Sequence, residues 1–343
     1  MHDRLIIGAL LAVLSGVMNG TFTLPMRFLG RWSWENVWSV FIVNACLVLP
    51  AIILSVTATN SWDLLLHAPR NAVLIALAGG FAWGFGAVMF GQSVSAIGIA
   101  LSNTFVLAIS SAFGSLIPMI FLFPEKLHQR SGHYVLAGIA IEITGIALCG
   151  RAGLLRERAG SSSDAQRGDL VGTAKPMWIA LLLVTGSGLL SAVFNIAFAL
   201  SKPISVFGQE NGLGAFASTN LIWVLMLGAG AVSNLAFCLF LASKNQSANK
   251  FVQSGSSRLY LLGALMAVLW GGSIFVYGAA VPRLGPLGPS IGWPLSLATG
   301  LLVANVVGFI LGEWRGAPRR ALAFMGPGIA VLVLAVVVLS RAN

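Results

Sequence analysis

Neutral polar and aromatic side chains interrupt long apolar stretches of this sequence, and they could bind a small polar molecule. Amide groups both donate and accept hydrogen bonds, while indole and phenol rings add flat apolar faces. Such a lining suits reversible binding rather than bond-making chemistry. The structural alternative is that the tryptophans anchor helices at a membrane surface and the asparagines bond neighbouring helices. The candidates are Asn19, Trp83, Gln92, Asn103, Asn195, Trp270, Tyr277 and Trp293, with Asn234 and Asn305 as further members.

Two carboxylates could hold a proton. Glu142 lies near the centre of an apolar stretch between two isoleucines. Burial there favours the neutral form of a carboxyl group, and an ionisable residue inside a membrane is a functional candidate by default. Its structural alternative is a neutral carboxyl bonded to a neighbouring helix. Glu35 lies near the edge of a stretch, where a helix cap or an ion pair with Arg27 or Arg31 would also explain it.

The sequence lacks the motifs of enzymatic chemistry. It has no HExxH or DxD-like metal cluster, no Gly-x-Ser-x-Gly nucleophile motif and no Walker phosphate loop. The four histidines and the aspartates fall outside the apolar stretches, and the three cysteines inside them are typical packing residues. We therefore predict no enzymatic activity, no metal and no cofactor.

Composition indicates that lipid is the solvent of this chain. Hydrophobic residues make up 57% and charged residues 9% of it, whereas soluble domains carry about 25% charged residues. No basic face on a soluble module is present to bind nucleic acid, and the net charge of +10 is concentrated in loops that face lipid headgroups. We predict an all-α integral membrane protein with ten transmembrane helices, at 5–25, 37–57, 71–93, 99–122, 134–150, 177–200, 218–242, 258–281, 288–312 and 321–340.

One stretch of sequence occurs twice. Trp83–Gly98 reads WGFGAVMFGQSVSAIG, and Trp270–Gly285 reads WGGSIFVYGAAVPRLG. Each copy has three glycines at heptad spacing, which places them on one side of a helix and lets another backbone come close. The match favours an internal duplication.

The duplication predicts two halves of five helices each. Residues 1–150 form the first repeat, 151–176 a polar, basic, flexible connector, and 177–343 the second repeat. Because five is odd, the second half must cross the membrane in the opposite sense. Inverted repeats are typical of secondary transporters, which bind substrate near the middle of the membrane between the repeats.

Loop charge predicts the orientation. Thirteen of the 20 lysine and arginine residues fall in the odd-numbered loops. The positive-inside rule then places these loops in the cytoplasm and both termini on the periplasmic side.

Several motifs carry a resemblance to a known family. They are WSWE with WSV at 32–40, the WGxG of 83–86, RAG with LLRER at 151–158, Ser191-Ala192, Lys202-Pro203, Gly230-Ala231 with Asn234-Leu235, and Glu313-Trp314. With these motifs the chain resembles, nearly end to end, the L-rhamnose–proton symporters of the drug/metabolite transporter superfamily.

The resemblance implies a bacterial inner-membrane importer of a deoxy sugar, driven by the proton gradient through alternating access. A sugar presents hydroxyls and apolar C–H faces, so the candidate residues above would line its site, with Trp83 and Trp270 placed symmetrically. Glu142 or Glu35 would load the proton.

The sequence departs from the family pattern at several positions. Among them, Ala87 and Ala279 are small where polar or aromatic residues are expected, and Glu142 stands where an apolar residue is expected. The alternatives are a carrier or exporter of another metabolite and a membrane enzyme or receptor subunit that transports nothing. The oligomeric state is left open.

Overall fold

The computed structural model describes residues 2–28, 32–57, 60–160, 177–253 and 256–342, and within these ranges it is helical without a β-strand. Two short helices, Ser61–His67 and Lys202–Glu210, lie between the longer ones. The long helices are α1 His2–Thr21, α2 Trp34–Thr57 (with a π-helical turn at Asn44–Val48), α3 Arg70–Ile97, α4 Ile99–Leu122, α5 Arg130–Gly160, α6 Met177–Leu200, α7 Ala215–Lys244, α8 Ser256–Ala280, α9 Gly288–Ile310 and α10 Arg319–Ser340.

The ten long helices confirm the predicted membrane architecture. Each is long and apolar enough to cross a bilayer. Large apolar side chains point away from the bundle along them, such as Leu10, Phe121 and Leu239, which are 62%, 76% and 69% exposed. An apolar outer surface of this kind belongs in lipid, because water would disfavour it.

The predicted connector begins too early, because α5 continues as a helix through 151–160. Tertiary contacts hold this extension. The Glu157 carboxylate accepts a hydrogen bond of 3.0 Å from the Ala100 backbone N–H at the start of α4. The Arg156 guanidinium lies 4.7 Å from the centre of the Trp314 ring and 3.5 Å from the Glu313 carboxylate. The rest of the predicted connector, 161–176, lies outside the described residues.

The duplicated glycines have two structural roles. A Cβ atom at Gly84 would lie 2.5 Å from the Gly230 carbonyl oxygen of α7, and one at Gly271 would lie 3.2 Å from the Ala45 carbonyl oxygen of α2. The prediction of close backbone approach is therefore confirmed at both places. It is wrong for the other two glycines of each set. The atoms nearest to a Cβ at Gly91 or Gly278 belong to side chains, those of Trp34 and Trp223 respectively. Gly98 and Gly285 follow the helices, with φ of +85° and +75°, which glycine adopts without strain.

Helix contacts come in matched pairs between the two halves. α1 packs on α8 and α9, while α6 packs on α3 and α4. α3 packs on α7, α8 packs on α2, and α5 lies along α10. If each helix is replaced by its counterpart in the other half, such as α1 by α6 or α8 by α3, the same set of pairs results. A duplication predicts this correspondence. The inverted relation of the halves stays a prediction.

The contacts between loops divide the molecule into two ends. Each loop is numbered by the long helix that it follows. The start of α2 contacts loop 7, and the tail of α5 contacts both the start of α4 and loop 9, at what we call the odd-loop end. At the even-loop end, the Ser201 hydroxyl donates to the Ala72 carbonyl, joining the end of α6 to the start of α3.

We expect Gly84→Ala to destabilise the protein by about 1–3 kcal/mol, because its methyl group would overlap a backbone oxygen that cannot rotate away. Gly228→Ala is the matched control, since a Cβ at that position of α7 meets nothing within 4 Å. Thermal unfolding in detergent measures both. Equal midpoints for the two variants would contradict the close approach of α3 and α7.

Candidate functional site

The two duplicated tryptophans meet at the centre of the bundle. The Trp83 and Trp270 rings stack with their centroids 5.2 Å apart and their planes at 13°. Both side chains are half-buried. Phe194 of α6 packs on Trp83 at 5.0 Å, and Phe41 of α2 packs on Trp270 at 5.6 Å. The stack therefore joins one helix of each half in an aromatic surface near the middle of α3 and α8.

A second cluster combines aromatic rings with polar groups. The Tyr277 hydroxyl donates to the Asn195 side-chain oxygen, and the Asn195 amide donates to the Gly114 carbonyl of α4 at 2.8 Å. The Trp293 indole N–H donates to the Ser110 hydroxyl at 3.2 Å. All three predicted residues are buried. We call Ser110, Asn195, Tyr277 and Trp293 the polar cluster; it joins α4, α6, α8 and α9.

Phe194 connects the polar cluster to the tryptophan stack. Its ring lies 5.0 Å from Trp83, 5.6 Å from Trp223 and 6.4 Å from Trp293. The eight predicted binding residues thus include five that share one continuous aromatic core: Trp83, Asn195, Trp270, Tyr277 and Trp293.

Sequence reasoning missed Trp223 of α7. Its ring stacks on Phe198 at 4.1 Å, is fully buried, and lies 6.1 Å from the Tyr277 ring. The Trp223 indole N–H and the Asn220 side-chain oxygen, one turn apart, have no hydrogen-bond partner among the described residues. Trp223 is only six residues into the predicted helix 218–242, where an interfacial anchor is also expected, so its position in the sequence did not single it out.

The other three predicted residues lie closer to the odd-loop end. Asn19 is near the end of α1, Gln92 near the end of α3, and Asn103 near the start of α4, and all three are half-buried. Gln92 is nine residues beyond Trp83, which is roughly 14 Å along a helix. The structure therefore separates these residues from the polar cluster along the helix axes.

The further asparagines have structural partners. The Asn234 side-chain oxygen accepts from the Trp38 indole N–H at 3.0 Å, so Asn234 positions the aromatic core from α7. The Asn305 amide donates to the Leu301 carbonyl of its own helix at 2.9 Å.

Glu142 is fully buried in α5 and is hydrogen-bonded to α4, the helix that also carries Ser110 of the polar cluster. Its Oε2 atom accepts a hydrogen bond of 2.6 Å from the Ser111 hydroxyl of α4. Its Oε1 atom and the Ser115 hydroxyl, one turn further along α4, have no hydrogen-bond partner among the described residues. A buried carboxyl without a counter-ion costs least when it carries its proton. Ser111 directly follows Ser110, so α4 connects the carboxyl group to the polar cluster.

Glu35 has a different setting at the odd-loop end. Its Oε1 atom accepts from the Ser247 hydroxyl at 2.6 Å and from the Asn245 amide at 3.1 Å. The Lys250 ammonium donates to the Ser33 hydroxyl at 2.6 Å. The WSWE motif is therefore fastened to the loop after α7. The side chains of Arg27 and Arg31, the ion-pair partners predicted for Glu35, lie outside the described residues.

Metal ligation has no support in the described ranges, where no three histidine, cysteine, aspartate or glutamate side chains converge. The geometry instead favours reversible binding by neutral donors, acceptors and ring faces, with one buried carboxyl group nearby.

We expect Glu35→Ala to lower the free energy of unfolding by about 1.5–3 kcal/mol, because it leaves a buried serine hydroxyl without its charged acceptor. Glu125→Ala, at an exposed loop position, should leave stability unchanged. Thermal unfolding in detergent compares the two. If Glu35→Ala unfolds at the same temperature as Glu125→Ala, these bonds do not stabilise the odd-loop end.

Comparison with known proteins identifies the family. Residues 1–342 match the sequence profile of the L-rhamnose-proton symport protein family. The L-rhamnose-proton symporter of Salmonella typhi is 25% identical over 342 residues, which cover 98% of this chain and 97% of its own length. The proteins of that name from Salmonella gallinarum and Citrobacter koseri match with the same identity and coverage. Because the profile spans nearly all of its residues, the chain belongs to the L-rhamnose-proton symport protein family.

Proposed function

We propose that this protein is a proton-coupled secondary transporter that imports L-rhamnose across the bacterial inner membrane. Family membership makes it a transporter rather than an enzyme. The observation that carries the site assignment is the polar cluster, in which buried hydrogen-bonding groups of both halves meet beside aromatic rings.

The polar cluster suits a deoxy sugar. L-rhamnose carries hydroxyl groups on its ring and one methyl group, so it needs neutral donors and acceptors together with apolar surface. Tyr277, Asn195 and Trp293 supply the polar groups, and Phe194 and Trp223 supply ring faces. In the present arrangement these groups form hydrogen bonds within the polar cluster. When the sugar binds, its hydroxyl groups take the place of these partners. The indole N–H of Trp223 adds a donor for a sugar hydroxyl.

Glu142 is the coupling carboxyl in this proposal. Its hydrogen bond from Ser111 and the bonds of Ser110 to Trp293 and Ser191 come from adjacent residues of one helix. A change in the protonation of Glu142 therefore alters the bonds on one side of α4 while sugar occupancy alters those on the other. Glu35 has a sufficient structural explanation in its bonds to loop 7.

Alternating access follows from the two halves. The matched helix contacts support an inverted repeat, in which one half moves against the other around the central aromatic core. Asn19, Gln92 and Asn103 line the part of the pathway towards the odd-loop end. The excess of lysine and arginine in the odd loops puts that end in the cytoplasm and both termini in the periplasm.

We expect Glu142→Gln to abolish proton-driven accumulation of labelled L-rhamnose in proteoliposomes, because the amide cannot carry the coupling proton. Exchange of sugar across the membrane should continue, since the amide keeps the shape of the carboxyl group. Glu35→Gln is the matched control and should still accumulate sugar when a proton gradient is applied. Accumulation by Glu142→Gln at the wild-type level would exclude Glu142 as the coupling residue.

We expect Tyr277→Phe to raise the half-saturating concentration of L-rhamnose roughly 2- to 12-fold, the cost of one hydrogen bond. Tyr260→Phe is the control, because this exposed tyrosine bonds the Phe251 carbonyl far from the core. Concentration-dependent uptake measures both. Competition by other deoxy sugars in the same assay tests the substrate: preferential uptake of another sugar would reject L-rhamnose and retain sugar transport.

A further inference from the structure

A groove at the even-loop end combines basic and apolar walls. It lies between the start of α1, the start of α5 and the end of α10, and encloses about 590 Å³. Arg130, Tyr134 and Arg341 line its polar part, while Ile6 and Leu10 belong to its apolar part. The groove is distinct from the polar cluster, with which it shares no residue.

The two arginines of the groove are available for an anion. Both side chains are exposed, and among the described residues neither forms a salt bridge with a carboxylate. Arg130 is held in place by Tyr134: its guanidinium donates to the phenol oxygen at 3.3 Å and lies 5.5 Å from the ring centre. The acidic residues nearest in sequence to the groove lining are Asp3, one turn before Ile6, and Glu125, five residues before Arg130; neither lines the groove.

The apolar part of the groove continues along α1 into the membrane. Ile6 is 46% and Leu10 is 62% exposed, and they are four residues apart on one face of the helix. Arg130 begins α5 and Arg341 follows α10, and arginine and tyrosine at the ends of transmembrane helices are favoured at the level of the lipid headgroups. This order of charge above and hydrocarbon below matches the order of groups in a phospholipid.

We propose that the groove binds one anionic phospholipid, with its phosphate between Arg130 and Arg341 and an acyl chain along Ile6 and Leu10. Arginine suits this role because its planar guanidinium can donate two hydrogen bonds to one phosphate. The phenol of Tyr134, which accepts from Arg130, can donate its own proton to the same headgroup. The proposal is independent of the transported substrate.

Native mass spectrometry of the delipidated full-length protein in a neutral detergent tests this site. We expect a bound phosphatidylglycerol, and weaker binding of phosphatidylcholine with the same acyl chains. Arg130→Gln with Arg341→Gln should weaken phosphatidylglycerol binding roughly 25-fold, about fivefold for each arginine. Arg130→Lys with Arg341→Lys should restore part of the affinity, because the charges return without the planar fork.

The matched control is Arg70→Gln with Lys202→Gln, which removes two exposed charges from the even-loop end outside the groove. This double variant should bind phosphatidylglycerol like the wild type. The proposal is overturned if both double glutamine variants lose the same affinity, or if phosphatidylcholine binds equally well. It is also overturned if inorganic phosphate displaces the lipid at matching concentration, because the groove would then select a free anion.

Discussion

Helices in lipid gain little from burying apolar side chains against each other, because the surrounding chains are equally apolar. Their association depends on how closely two backbones approach. In this protein, Gly84 and Gly271 provide that approach at equivalent places in the two halves, against α7 and α2. Each glycine directly follows a tryptophan of the central stack. Close packing of the backbones on one side of α3 and α8 therefore leaves Trp83 and Trp270 to meet on another.

The aromatic core combines rigidity with exchangeable bonds. Ring stacking through Phe194 links the tryptophan pair to the polar cluster, whereas the hydrogen bonds of Ser110, Asn195 and Tyr277 can be exchanged for those of a ligand. Glu142 lies outside this core, and its hydrogen bond among the described residues comes from Ser111 of α4. In the proposed mechanism, the sites for sugar and proton are therefore separate in space, and helix α4 connects them, so that occupancy of one can change affinity at the other.

Periodicity and repetition allow much of this fold to be predicted from sequence. The ten helices follow from apolar segments of membrane length, and the symmetric placement of Trp83 and Trp270 follows from the duplication; their direct stacking is visible only in the structure. Contacts between distant segments leave no such trace. The helical extension of α5 depends on Ala100 and Trp314, far along the chain from Glu157 and Arg156. Local polarity at 151–160 therefore indicated a connector. Likewise, nothing near Trp223 in sequence shows that Phe198 and Tyr277 surround it.

A single residue, Gly98, separates α3 from α4, and one of the first backbone donors of α4 bonds a carboxylate that is far away in sequence. The Ala100 N–H is satisfied by Glu157, which the ribosome adds 57 residues later. During synthesis, the α3–α4 hairpin therefore enters the membrane before Glu157 exists. Until then, the Ala100 N–H must donate its hydrogen bond to water or to a lipid headgroup. Only after α5 has crossed in full can its tail complete that end. The order of synthesis thus makes the tail of α5 a late closing step in the biogenesis of the first half.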